Sequence, residues 1–174
     1  AIVSERVDTL VRNAAPHWRG ASLGGIWQAV RIVVTDPVYV SDVFIEPLLN
    51  ESLAKAHVEL ANTSLRSRAV VLQVDVASAR QPQKSMIARQ VKVELAPGQQ
   101  RVSMSLPITD VVPWSPDTPH LYVARVKLLA DDQTIDAVDT RFGMRSFEAK
   151  DGDFYLNGRR IYIKCAFWEG QYPN

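Results

Sequence analysis

The side chains able to do chemistry are few and scattered. His17, His57 and His120 lie far apart in segments of different kinds, and Cys165 is the single cysteine. A metal needs several donors converging on one point, and one cysteine supplies neither a thiolate cluster nor an intrachain disulfide. No metal site and no cofactor are expected. Cys165 has no histidine near it in sequence to activate it, so it is expected as a small buried residue rather than a nucleophile. Two aromatic-polar stretches carry more. In Trp114-Ser115-Pro116-Asp117-Thr118-Pro119-His120-Leu121-Tyr122 and in Phe167-Trp168-Glu169-Gly170-Gln171-Tyr172-Pro173, large rings alternate with groups that bond hydroxyls. That combination suits a sugar: a flat ring stacks on the pyranose face while Asp, Glu, Gln or His bonds the hydroxyls. Arg141 and Arg145 could hold a carboxylated sugar, but arginines on an alternating strand more often pair with acids at an interdomain surface, and that pairing is the expectation.

The elements that position these residues belong to an ordinary globular chain. Of 174 residues, 47% are hydrophobic and 22% charged, enough apolar surface for one core. Lys and Arg number 20 against 19 Asp and Glu, a net charge of +1 that gives no field to recruit nucleic acid or an anionic membrane. No apolar run is long enough to cross a bilayer, and residues 1–12 lack the basic start and apolar stretch of a signal peptide. Neither nucleic acid nor membrane is an expected partner. The composition assigns no compartment.

Alternation is the commonest pattern along the chain. Ala54, Ala56, Val58 and Leu60 share one face against Lys55, His57 and Glu59, and Val70, Leu72, Val74 and Val76 repeat the arrangement. Val91, Val93 and Leu95 follow, then Val102, Met104 and Leu106, then Tyr122, Ala124, Val126 and Leu128. Turn formers separate the runs at Asn62-Thr63-Ser64, Gln81-Pro82-Gln83, Ala96-Pro97-Gly98-Gln99 and Asp131-Asp132-Gln133. Pro97 and Gly98 suit the two central positions of a type II turn, which predicts a hairpin. With no helical stretch to make crossovers, the expected class is all-β, an immunoglobulin-like antiparallel β-sandwich. One short helix is expected after Ser4, with Val7, Leu10 and Val11 on one face. Further strands are expected over residues 29–35 and 38–46, divided by Asp36-Pro37. Asp151-Gly152 reads as a break, and Asn157-Gly158 as a type I′ hairpin.

Four motifs resemble the family-2 glycoside hydrolases, the group of β-galactosidases, β-glucuronidases and β-mannosidases. They are Gly24-Gly25-Ile26-Trp27-Gln28, the Trp114 to Tyr122 stretch, Arg141-Phe142-Gly143-Met144-Arg145-Ser146-Phe147-Glu148, and the Asn157-Gly158 hairpin followed by Ile161 to Lys164. Their order and spacing run from about residue 22 to residue 172. The resemblance implies that residues 1–35 finish a jelly-roll domain, with Trp27 packed at its junction with the sandwich. It further implies that residues 36–150 form the sandwich and that residues 151–174 open a truncated (β/α)8 barrel. In such enzymes two glutamates on later barrel strands act as acid/base and nucleophile at the short separation of a retaining mechanism, so no residue of this sequence is assigned a catalytic role.

Residues just past the first barrel strand face the barrel mouth, and the resemblance thereby makes Trp168, Glu169, Gln171 and Tyr172 the candidate substrate-binding residues of a full-length enzyme. The sequence departs from the common family pattern here, with Cys165 in place of Gly, Phe167 in place of Asn and Glu169 in place of His, which points to a divergent subgroup. For Trp114 and Tyr122 the expected role is packing, since Pro113, Pro116 and Pro119 stiffen a connection that cannot join a sheet. The implied function is a non-catalytic sandwich of a retaining exo-β-glycosidase, its partners the remaining domains of its own chain and, in the full enzyme, a carbohydrate. The rival reading is an immunoglobulin-like carbohydrate- or protein-binding module.

Overall fold

The strands in which alternation is cleanest become the centre of the fold. The computed structural model describes residue 30 and residues 32–165. The chain divides into two units, Ala1–Val34 and Thr35–Asn174, and every described strand belongs to the second. β1 (Val38–Leu48), β2 (Leu53–Asn62), β3 (Arg68–Ser78), β4 (Ser85–Leu95), β5 (Gly98–Pro107), β6 (Tyr122–Ala130) and β7 (Gln133–Phe142) form two antiparallel sheets, ordered β1-β2-β5 and β4-β3-β6-β7. In β2, β3 and β6 nearly every second side chain is buried, and each of these strands has a neighbour on both edges. Val58 and Leu60 from one sheet meet Leu72, Val74, Val126 and Leu128 from the other in a single core, all fully buried. This is the expected immunoglobulin-like sandwich. Its fourth strand lies beside the third, whereas the constant-type plan places that strand in the first sheet.

Pro97-Gly98 turns the chain as expected, with Gly98 at φ +111°, but it does not close a hairpin. β4 pairs with β3 and β5 with β2, so the turn carries the chain from one sheet to the other. Asn62, the buried polar residue of the described core, stands beside this crossing and opposite Gly98. Its Nδ2 donates to the carbonyls of Arg66 (2.8 Å) and Leu95 (2.9 Å), while its Oδ1 accepts from the Ser64 N–H and hydroxyl. A buried amide with every hydrogen bond made fixes both sheet-to-sheet connections at one point.

β7 carries no clean alternation, because a bulge at Leu128/Leu129 shifts its register against β6. At the opposite corner of the sandwich the Val40 N–H on the edge strand β1 donates to Asp136 Oδ2 on β7 (2.8 Å). Asp139, also on β7, hydrogen-bonds Arg125 of β6 and with its charge holds that guanidinium above its ordinary pKa. Both groups are solvent-exposed, so the pair adds little stability.

Past the sandwich, β8 (Phe147–Lys150), β9 (Asp153–Leu156) and β10 (Arg159–Ile161) form a separate three-stranded meander. Asn157-Gly158 is the expected two-residue hairpin turn, with φ of 51° and 75°. Asp151-Gly152, read from sequence as a break, is a second such turn, with φ of 52° and 82° joining β8 to β9. Asp-Gly accepts the positive φ of both central positions as Asn-Gly does, and this reading corrects the first.

Two further expectations are corrected. The described part of the 29–35 segment is not a strand, and its apolar residues Ile32, Val33 and Val34 are exposed. Cys165 is exposed rather than buried, since residues 162–165 have left the meander without a partner strand. The helix expected after Ser4 and the packing expected of Trp27 lie outside the described residues.

Candidate functional site

The aromatic stretch that sequence reading set against a packing role is assembled from three elements. β6 begins at Tyr122, fully buried, whose hydroxyl accepts from the Val112 N–H (2.9 Å) and pins the long connection from β5 to the sandwich. A buried tyrosine at this corner, tied to backbone upstream, is a recurrent device of immunoglobulin-like domains. The Tyr122 ring lies stacked on Phe142 at 5.6 Å and edge-on to His120 at 4.9 Å. Ser115 and Thr118 close a small loop on themselves, the Thr118 N–H donating to Ser115 Oγ (3.1 Å) and the Ser115 N–H to the Thr118 carbonyl (3.1 Å). These rings are committed to packing, as expected.

Trp114 is the hub. Its N–H donates to the Met144 carbonyl (2.8 Å), and the Arg145 guanidinium lies over its ring, 4.9 Å from the centroid. Gly143 makes that approach possible, because a Cβ there would stand 2.8 Å from both Cβ and Cγ of Trp114. Among the described residues neither Arg141 nor Arg145 has a carboxylate within ion-pair distance, and the interdomain surface at which acid pairing is expected lies beyond them; the contact that Arg145 does make is with Trp114. An indole attracts a guanidinium over its face.

Asn157 then ties the meander to this hub. Its side-chain amide donates to the Trp114 carbonyl (2.9 Å), and its Oδ1 accepts from the Ser146 N–H (3.0 Å). Its own N–H donates to the Ser146 carbonyl (2.9 Å). The hairpin residue is thus also a clamp between the end of the sandwich and the sheet that follows. Sequence reading found Asn157 for its turn propensity alone. The signal for the clamp was only that Asn, unlike Asp or Gly, brings both a donor and an acceptor to a positive-φ position.

The candidate substrate-binding residues Trp168, Glu169, Gln171 and Tyr172 lie outside the described residues. Among the described residues no cluster of three or more His, Cys, Asp or Glu could hold a metal ion. What the joint of Trp114, Gly143, Arg145, Ser146 and Asn157 can do is hold two sheets in register, with hydrogen bonds and an indole-guanidinium stack rather than a reactive pair.

The family model for glycosyl hydrolases family 2 matches residues 38–145, which is most of the sandwich and the joint as far as Arg145. The chain belongs to glycosyl hydrolases family 2. A β-galactosidase of Thermoanaerobacter pseudethanolicus is similar, at 26% identity over 81% of this chain and 19% of its own length. A β-glucuronidase of Streptococcus agalactiae is 39% identical over 33% of this chain and 10% of its own length. Among solved structures, a family-2 glycosyl hydrolase from Bacteroides cellulosilyticus matches with a TM-score of 0.67 and 26% identity, covering 75% of this chain and 19% of that one. The chain spans between 6% and 24% of the length of the curated family-2 relatives it matches.

Proposed function

We propose that this chain is the non-catalytic sandwich region of a retaining exo-β-glycosidase, and that its work is to hold the domains on either side in fixed relation. The observation that carries the reading is the joint at Trp114 and Asn157. It fastens the sandwich to the sheet that follows, in a chain whose family-2 relatives are several times longer. The relatives named above, a β-galactosidase and a β-glucuronidase, favour hydrolysis of a β-glycosidic bond by the full-length parent. On this reading residues 1–35 finish a jelly roll, residues 36–150 are the sandwich, and residues 151–174 open the catalytic barrel. The acid/base and nucleophile would come from later barrel strands.

Trp168 and Tyr172 would stack on the sugar in the full-length parent, and Glu169 and Gln171 would bond its hydroxyls. In that parent, Trp168→Ala is expected to raise KM for an aryl β-glycoside by roughly tenfold with the melting temperature unchanged, the pattern of lost binding rather than lost fold. An unchanged KM would remove Trp168 from the site.

The reading is tested by hydrolysis. Purified chain should release no more aryl alcohol from aryl β-galactoside and β-glucuronide than buffer does, while a longer chain carrying the whole barrel should turn over one of them. Turnover above the blank by this chain alone would refute the supporting role.

A further inference from the structure

The outward face of the β1-β2-β5 sheet carries an arrangement that the supporting role does not use. Beyond the bulge at Val40/Asp42, the even-numbered residues of β1 point away from the core, and register sets Phe44 opposite His57, which is in turn opposite Ser103. Phe44 is 58% exposed, with Asp42, Glu46, Lys55, His57, Glu59, Arg101 and Ser103 around it on this face. A single exposed phenylalanine is unremarkable on a protein surface. This one is different in that its neighbour is locked. The His57 ring is bonded at Nδ1 to Ser103 Oγ (2.9 Å) and at Nε2 to Glu46 Oε2 (3.0 Å), and it lies 19° from parallel to the phenyl ring, with centroids 6.0 Å apart. The two near-parallel rings make an aromatic strip, in which the His57 ring is held in place before any ligand arrives.

The strip forms the floor of a shallow depression of about 410 Å³, lined by Phe44 and His57 with Asp42, Glu59 and Arg101. Arg101 Nε donates to Glu59 Oε1 (3.0 Å), which fixes donor and acceptor side by side on the rim, and Asp42 stands opposite Glu59 in the register. An aromatic floor with convergent polar groups on its rim can seat a small ligand. Here the floor has the width of one or two rings, and the rim offers hydrogen bonds in both directions, which are the demands of a pyranose with an apolar face and hydroxyls at its edge. The charges on the face argue against an acidic sugar. Asp42, Glu46 and Glu59 outnumber Lys55 and Arg101, and Arg101 is already engaged by Glu59.

The geometry points to a neutral-sugar-binding site on the outer face of the sandwich, with Phe44 and His57 as the stacking platform and Asp42, Glu59 and Arg101 as the hydroxyl partners. Such a site would hold a carbohydrate on the sandwich itself. Its ligand class rests on the glycosidase reading, but its test does not depend on hydrolysis.

The chain is titrated with methyl β-galactoside, lactose and cellobiose while amide NMR shifts are followed. The expected result is saturable shifts centred on residues 42–46, 57–59 and 101–103 for at least one of them, with a Kd on the order of 1–10 mM. Phe44→Ala should weaken binding by at least about tenfold and Phe44→Trp should preserve or tighten it. The ring is exposed, so spectra away from the face should stay unchanged in both variants. Absence of saturation with all three sugars, shifts confined to another surface, or equal binding by Phe44→Ala would each overturn the site. Methyl β-glucuronide is titrated in the same way, and saturation by it alone would overturn the neutral-sugar assignment. None of these results bears on whether a longer chain hydrolyses aryl glycosides, so the two readings fail separately.

Discussion

At the scale of single residues, Gly143 and Asn157 do work that neither backbone propensity nor hydrophobicity describes. Gly143 is needed for what stands over it. The expected outcome of Gly143→Ala is displacement of Trp114, loss of the Arg145 stack and destabilisation of about 1–3 kcal/mol, read as a lowered denaturant midpoint with a shift in tryptophan emission. A midpoint equal to wild type would mean that the indole can move at no cost. Asn157→Gly separates the two roles of that residue, since glycine keeps the positive φ and removes the amide. It should leave the β9–β10 turn intact, cost about 1–2 kcal/mol and speed hydrogen exchange at the Ser146 amide. The turn was legible in the sequence because Asn-Gly constrains its own two residues. The clamp was not, because its acceptor on Trp114 lies 43 residues away and nothing local encodes that distance. The Arg145 stack was hidden for the same reason: the indole lies on another connection, invisible to any argument from charge pattern.

At the scale of elements, legibility followed the regularity of each strand. β2, β3 and β6 have a partner strand on each side and a core on one face, so strict alternation was their only solution and they were read correctly. β7 lies at a sheet edge and carries a bulge, which breaks the period that would have announced it. Pro97-Gly98 shows the limit of turn chemistry: it specifies that the chain reverses, and says nothing about which sheet the next strand joins. That choice is fixed by Asn62, and its removal is correspondingly costly. Asn62→Ala takes this donor from the buried Leu95 carbonyl and one of two side-chain donors from the Arg66 carbonyl, with an expected loss of about 1–3 kcal/mol, measurable by chemical denaturation. A loss below about 0.5 kcal/mol would show that water takes its place.

At the scale of the whole molecule, the family was recognisable because its described motifs sit on the connection into β6, at the end of the sandwich and in the hairpin beyond it, positions at which few residue types fit. The candidate sugar-contacting residues near the C-terminus were legible only through that resemblance. The platform at Phe44 escaped notice because its members come from three strands and are adjacent only across the sheet. The two-residue turns carry a consequence for how the chain acquires this structure. Asp131-Asp132, Asp151-Gly152 and Asn157-Gly158 all have positive φ at both central positions, and each joins neighbouring strands with no slack. From β6 to β10, three of the four steps are therefore closures between immediate neighbours in sequence, of the kind that form in microseconds. The β2–β5 ladder, by contrast, must bring Asn62 to Gly98 after two intervening strands have crossed to the other sheet. The later half of the chain can thus zip up by itself, and the rate of reaching the native state belongs to the earlier half, where the crossing at Asn62 has to be found.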